Sequence, residues 1–348
     1  MLSFDPQFEK RIPLSHRLVK TLTLLHEFRG KETLFRQQTP QVLETMRQSA
    51  IIQSVESSNR IEGVVAKRGR VKAIVVEKSL PRDRPEAEIA GYRDVLDSIH
   101  GGYDGIRLSS GVVRQFHKML FAKTNEPGGA WKNDDNLIQT THSDGRVEIR
   151  FAPPPPHLTE TLMADLHEGL KRTLRERQVD PLLVIPAYVL DFLCVHPLSD
   201  GNGRMARLLA LLLLYQQGFG VGRFISLEKI IEGSKESYYE TLHASSQGWH
   251  EGNHDLTPWT EYFLGTMIDA YRQFEERVQN TTHKRGSKTR LIEAAIDAAI
   301  GDFSAQEILA KCPQASIDLV RQILKHRKAL GQIESLGRGR AAKWRRIR

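Results

Sequence analysis

His196, Asp200, Arg204 and Arg207 fall in one short stretch, threaded through Pro197, Gly201, Asn202 and Gly203. These residue types at this spacing suit phosphate chemistry. The apolar run 186–195 reads as a helix that ends near His196, because Pro197 cannot continue it. A second helix opens near residue 203. Between them the two glycines let backbone N–H groups converge without Cβ interference. Converging N–H groups at a helix N-terminus bind anions, phosphate above all. Arg204 and Arg207 share one face of that helix end. Two guanidinium groups suit a polyphosphate better than a single carboxylate. Asp200 would repel phosphate unless a Mg²⁺ joins the two. His196, at the mouth of the loop, could then take a proton from an attacking hydroxyl. The residues alone also allow a plainer reading: a helix–loop–helix corner whose histidine and arginines cap helix ends and pair with carboxylates. There is no Gly-Lys-Ser/Thr phosphate loop, which excludes a P-loop NTPase site.

The elements that must position this stretch are mostly helical. Leu14, Leu18, Leu22, Leu25 and Phe28 recur at helical spacing and predict a helix over 14–30. A second is expected over 40–62, stopping at Gly63. The basic segment 66–85 ends in prolines and reads as an exposed connection. Helices are expected at 86–100, 109–122, 158–174, 181–195, 203–217, 234–247 and 257–279. Residues 127–156 are rich in turn formers; Asp144–Gly145 before an alternating run predicts a hairpin closed by prolines. Residues 280–289 are polar, basic and aperiodic, as a linker is. Three helical stretches and two short β-like runs then fill 290–348. These are the parts of a winged helix-turn-helix, with 316–329 as the recognition helix.

A chain of 348 residues can hold two or three domains. Its 40% hydrophobic and 26% charged residues are ordinary for a soluble protein. The amino terminus has no apolar core and reads as lacking a signal peptide. The most apolar run, 208–215, is too short to cross a bilayer, so no membrane partner is expected. Cys194 and Cys312 stand far apart, which excludes a disulfide scaffold and fits a cytoplasmic location. The net charge of +8 is concentrated at one end: residues 281–348 hold 15 Lys and Arg against 6 Asp and Glu. A polyanion partner is expected to dock there. Arg321, Lys325, Arg327 and Lys328 on the recognition helix, with Arg338, Arg340, Lys343, Arg345 and Arg346 on the wing, would meet DNA phosphates. A solvated face, or a winged helix used for dimerisation or target docking, is the alternative.

The 196–207 stretch resembles the signature of the Fic family, His-Pro-Phe-x-Asp/Glu-Gly-Asn-Gly-Arg-x-x-Arg. Only Leu198 departs, where the family usually has Phe; an apolar swap at a buried anchor should be tolerated. Ser58, Glu62 and Gly63 resemble the family's inhibitory motif, Ser/Thr-x-x-x-Glu-Gly/Asn. Residues 151–170 resemble the segment after the Fic flap, and 234–252 with 259–263 resemble its closing helices. The resemblance covers 10–275, and the C-terminal segment resembles a winged helix appended to some bacterial Fic proteins. The implied fold is mainly α: a Fic-type helical bundle with a β-hairpin flap, plus a C-terminal winged-helix domain. The expected domains are an N-terminal region with the inhibitory helix (1–100), a catalytic core (101–279), a linker (280–289) and the winged helix (290–348).

By that resemblance the activity is protein adenylyl transfer (AMPylation) from ATP. His196 would deprotonate a Ser, Thr or Tyr hydroxyl of a target protein, and Asp200 would hold Mg²⁺. Gly201, Asn202 and Gly203 would cradle phosphate oxygens, Arg204 on the β side, while Arg207 would reach the γ-phosphate. Tyr238 and Tyr239 would line the adenine pocket, though buried core tyrosines are equally common. Leu137 and Ile138 on the flap would align a target strand. Glu62 would pair with Arg207 and so compete with the γ-phosphate. Candidate partners are the target protein, the chain itself through self-AMPylation, DNA, and a second copy in a homodimer. Two other readings stay open: a DNA-binding regulator with a nucleotide-sensing core, and a de-AMPylase in which Glu62 acts on the attacking water.

Overall fold

Helix starts follow the capping residues. The chain opens with α1 (His16–Gln38), α2 (Pro40–Ile61), α3 (Arg70–Val75), α4 (Arg84–Gly102) and α5 (Ser110–Phe121). The computed structural model describes all residues except 1, 6–7, 39, 68, 142–145, 284–286, 298, 300–301, 313–314, 338–341 and 347–348. Asp83 caps α4 by accepting the Glu86 N–H, and Ser109 caps α5 by accepting the Val112 N–H. Each satisfies a donor that a helix start leaves orphaned. The antiparallel strands β1 (Ile138–Thr141) and β2 (Val147–Phe151) follow, pairing Gln139 with Ile149 and Thr141 with Val147. The turn expected at Asp144–Gly145 lies outside the described residues. Then come α6 (Thr159–Glu176), α7 (Pro181–Val195), α8 (Asn202–Gln216), α9 (Leu227–Gly233), α10 (Lys235–Ser246) and α11 (Thr257–His283).

α7 is apolar on every side and Leu182 through Phe192 are all buried, as such a helix must be. It packs between α6 and α8, while α4 covers α8 and α2 lies against α4 and α9. Residues 1–274 make one compact unit. The boundary expected at residue 100 therefore falls inside α4 and divides nothing.

Three expectations change. The connection over 66–85 contains α3, which buries Val71, Ile74 and Val75. α1 runs past Gly30 to Gln38, anchored by buried Glu32, which accepts the Tyr271 hydroxyl at 2.8 Å and the Gly220 N–H at 3.2 Å. Leu14, expected on its buried face, precedes the helix and is 68% exposed. The linker over 280–289 is helical at both ends, because α11 reaches His283 and the next helix begins at Ser287. Asn and Thr cost only a few tenths of a kcal/mol each in a helix, too little to stop one already running.

Residues 275–348 form a second unit. It holds α12 (Ser287–Asp297), β3 (Phe303–Ser304), α13 (Ala305–Lys311), α14 (Ile317–Ala329), β4 (Ile333–Ser335) and β5 (Lys343–Arg346). The strands pair antiparallel in the order β3–β5–β4, one strand more than the sequence suggested. Ile292, Ile296, Phe303, Ile308, Val320, Leu324 and Ile333 make its core. Several cations expected to face DNA also have partners within the unit, Arg327 largely covered and Arg345 and Arg346 still exposed. Arg327 pairs with Asp297, Arg345 with Asp302 at 2.7 Å, and Arg346 donates to the Asp297 carbonyl. Each arginine reaches an acceptor at the edge of its own fold. Arg338 and Arg340 lie outside the described residues. Lys325 and Lys328 remain exposed on α14.

Candidate active site

α7 stops at His196, which takes a left-handed backbone, φ +48°, and donates its N–H to the Phe192 carbonyl at 3.0 Å. That conformation is costly for a residue with a Cβ. The His196 ring faces the Leu193 carbonyl, Nδ1 to O 3.1 Å. A carbonyl only accepts, so Nδ1 carries the proton and Nε2 keeps its lone pair. Burial lowers the His196 pKa to about 4, with Lys132 adding to the effect and the Leu193 carbonyl, Glu62 and Asp200 opposing it. The ring is therefore neutral at pH 7.

The loop closes on itself. Asn202 accepts the Leu198 N–H at 3.0 Å and donates to the Leu198 carbonyl at 2.7 Å. Leu198 is fully buried. The Asn202 side chain is thus a brace, and only its backbone is left to face an anion. Gly201 takes φ +78° to begin α8, and a Cβ there would lie 3.2 Å from Leu120 and Phe121. Asp200 receives the Gly201 N–H, lies 3.6 Å from Arg204, and its side chain is 60% exposed. Mg²⁺ is usually held by one or two carboxylates together with phosphate oxygens and water. Asp200 suits that role. Among the described residues no cluster of three His, Cys, Asp or Glu could hold a metal unaided.

Both arginines are buried against glutamates. Arg204 pairs with Glu88 of α4 at 2.5 Å and lies over the Phe121 ring. Arg207 donates through Nε to the Ser58 hydroxyl at 2.8 Å, and through Nη2 to the Ser58 carbonyl at 2.9 Å and Glu62 at 2.8 Å. Its Nη1 is buried without a partner. Glu62 stands where α2 ends. The Val64 N–H bonds the Asn59 carbonyl and the Gly63 N–H the Arg60 carbonyl, with Gly63 at φ +79°. This is the Schellman arrangement, with glycine at the left-handed position. Glu62 also lies close against the first turn of α8: a Cβ on Gly203 would clash with its Oε1. α9 and α10 hold this end of α2. Glu232 accepts from Ser57 and Arg60, each at 2.8 Å, and Lys235 donates to the Ile61 carbonyl.

A cavity of about 840 Å³ opens beside the loop, lined by Glu62, His196, Gly203, Tyr238 and Tyr239, with Leu137 and Ile138 of the flap. Such a volume suits a nucleotide-sized ligand. Arg204, Arg207 and Asp200 are not on its wall. Tyr238 is buried edge-on against Trp259 and Tyr262, whereas Tyr239 is half-buried. The flap exposes Leu137, Val147 and Ile149.

A model of the Fic/DOC family matches residues 107–214. The chain carries a Fic/DOC family domain. This Fic domain runs from just before α5 into α8 and contains the whole loop. A probable protein adenylyltransferase of Aquifex aeolicus (strain VF5) is 25% identical over 130 residues, 37% of either chain, so the match spans little more than a third of that relative. A Fido domain-containing protein of Dictyostelium discoideum is 29% identical over 119 residues, 34% of this chain and 78% of the other. The crystal structure of a Fic family protein from Desulfovibrio desulfuricans G20 shares the fold with a TM-score of 0.65 at 21% identity, covering 97% of this chain and 98% of that one. The Fic fold is mainly helical here, with the flap as the strand pair of the first unit. Among the described residues no helix is long and apolar enough to cross a membrane.

Sequence reasoning missed Glu88, Lys132, Asn136 and Glu232. Each reaches its partner across more than fifty residues or from a helix, α9, that was not foreseen; Ser226, which caps α9 through the Lys229 N–H, was the available signal.

Proposed function

We infer that the chain is a protein adenylyltransferase restrained by Glu62. The observation that carries this is His196: a neutral imidazole, Nδ1–H tied to Leu193, with Nε2 free beside an anion-binding helix start and a nucleotide-sized cavity. Nε2 takes the proton of a target Ser, Thr or Tyr hydroxyl. The oxygen attacks the α-phosphorus of ATP, the bond to pyrophosphate breaks, and AMP stays on the target. The proton leaves His196 to solvent. Mg²⁺ at Asp200 would neutralise phosphate charge. Arg207 would serve the γ-phosphate once Glu62 lets go, and its unpartnered Nη1 supports this. Tyr239 offers a ring to the base, and β1, an edge strand, offers a backbone to the target.

The test is intact mass, together with label transfer into a lysate, after incubation with Mg·ATP. Glu62→Gly should gain AMP on itself or a lysate protein, wild type less, and His196→Ala none. No transfer by Glu62→Gly to either acceptor would overturn the reading.

A second reading concerns residues 275–348. Arg321, Lys325 and Lys328 recur at helical spacing along α14, with Gln322 beside them. A helix so charged suits duplex DNA phosphates. Binding that weakens steeply with salt and is lost on Lys325→Glu/Lys328→Glu supports it; binding indifferent to both sinks it.

A further inference from the structure

Lys132 is buried, yet its ammonium meets neutral acceptors: the Val195 carbonyl at 3.1 Å and Asn136 Oδ1 at 2.8 Å. Its backbone N–H donates to the Pro197 carbonyl at 2.8 Å. Asn136, four residues further along the same irregular segment, donates through Nδ2 to the His196 carbonyl at 3.1 Å and the Leu198 carbonyl at 2.9 Å. The carbonyls of Val195, His196, Pro197 and Leu198 are thus all held by these two residues. A helix end leaves its last carbonyls without partners and carries partial negative charge. A buried ammonium is at home there without a carboxylate.

We propose that Lys132 and Asn136 are positioning residues that fix the His196 ring for proton transfer by clamping the four carbonyls around it. The proposal rests on the role of His196 inferred above. The clamp holds His196 in its left-handed backbone, and that backbone turns Nδ1 onto Leu193. Neither residue bonds the first turn of α8 directly; Asn136 meets it only through the Leu198 carbonyl, which it shares with Asn202. Burial lowers the Lys132 pKa to about 8 against the opposing charge of Asp135, and the charge it keeps at neutral pH opposes a second proton on His196.

The experiment compares Lys132→Met and Asn136→Asp in the Glu62→Gly chain. Asn136→Asp keeps the acceptor for Lys132 and the side-chain shape, but cannot donate to the two carbonyls, so it decides the matter if Lys132→Met does not fold. Two readouts are taken: kcat and KM for ATP, and the ¹⁵N spectrum of the histidine rings, with His196 assigned by its loss in His196→Ala. The clamp predicts a fall in kcat on the order of 10- to 100-fold with KM within about twofold. It also predicts that the fixed Nδ1–H signature of His196 becomes averaged. An unchanged kcat, a fall in kcat accompanied by a rise in KM well beyond twofold, or an unaltered ring spectrum would overturn it. If the Glu62→Gly parent transfers no AMP, the adenylyltransferase reading fails and the ring spectrum alone decides the clamp.

Discussion

Arg204 and Arg207 stand one turn apart on α8, and each is gripped by a glutamate from another helix. The Arg204–Glu88 pair is closed to water, with side chains 1% and 5% exposed. Glu88 lies one turn into α4, on its buried face, and also accepts Arg84 at 2.9 Å. The Arg207–Glu62 pair is lopsided, 4% and 29% exposed, and its carboxylate hangs from the residue just past the end of α2, on the cavity wall. The same two groups therefore serve different ends. A carboxylate sealed inside cannot leave without stranding a buried charge, whereas one at a helix end beside a cavity can be exchanged for another anion.

The sharpest way to break this contrast is Glu88→Ala. It should cost about 3–5 kcal/mol of stability, as removal of one partner of a buried pair does, read as a shift in the denaturant midpoint. A loss no larger than that of Glu62→Gly would erase the distinction. Glu62→Gly should cost only about 1–2 kcal/mol, since Ser58 still holds Arg207, and should raise transfer by about tenfold or more, some 1.4 kcal/mol of barrier. Mg·ATP should then stabilise Glu62→Gly more than wild type in a melting assay; equal shifts would deny that carboxylate and nucleotide compete. Glu232→Ala loosens the same end of α2 without touching the cavity charge. Transfer should rise a few-fold, less than for Glu62→Gly, with about 1 kcal/mol of stability lost. Activity above that of Glu62→Gly would count against Glu62 as the restraint.

The smallest effect is in pH. With His196 lowered to about 4 mainly by burial, the base form persists well below the ordinary histidine range. Transfer by Glu62→Gly should hardly fall between pH 7.5 and 5.5, and a midpoint near the ordinary histidine value of about 6.5 would be contrary. The sign for stability is fixed. The unfolded chain takes this proton near the ordinary value and the folded chain only near 4, so His196 contributes less stability as pH falls through that window.

The contrast also separates what the sequence could reveal from what it could not. His196 to Arg207 are contiguous, so their spacing suggested phosphate chemistry, and the resemblance to the Fic signature narrowed it to adenylyl transfer. Ser58, Glu62 and Gly63 were legible only through their resemblance to the inhibitory motif; by themselves they read as a charged helix end before a glycine. Glu88 reads as an ordinary charged residue of an amphipathic helix, and only the packing of α4 on α8 turns it inward. Lys132 and Asn136 sit in a stretch rich in turn formers, where a lysine is normally solvated. The helix ends that moved, at 30, 70 and 280, were decided by tertiary burial or by weak propensities that no breaker interrupted.

Ser58 and Glu62 grip Arg207 from successive turns of one helix, and the chain leaves that helix immediately afterwards through Gly63. The grip is therefore a matter of phase. One residue inserted between 58 and 62 would swing the carboxylate by about 100° and slide it by about 1.5 Å, out of reach of the guanidinium. The same residue inserted after 63 would only lengthen a loop. Among descendants of this sequence, length should drift freely on one side of Gly63 and be frozen on the other.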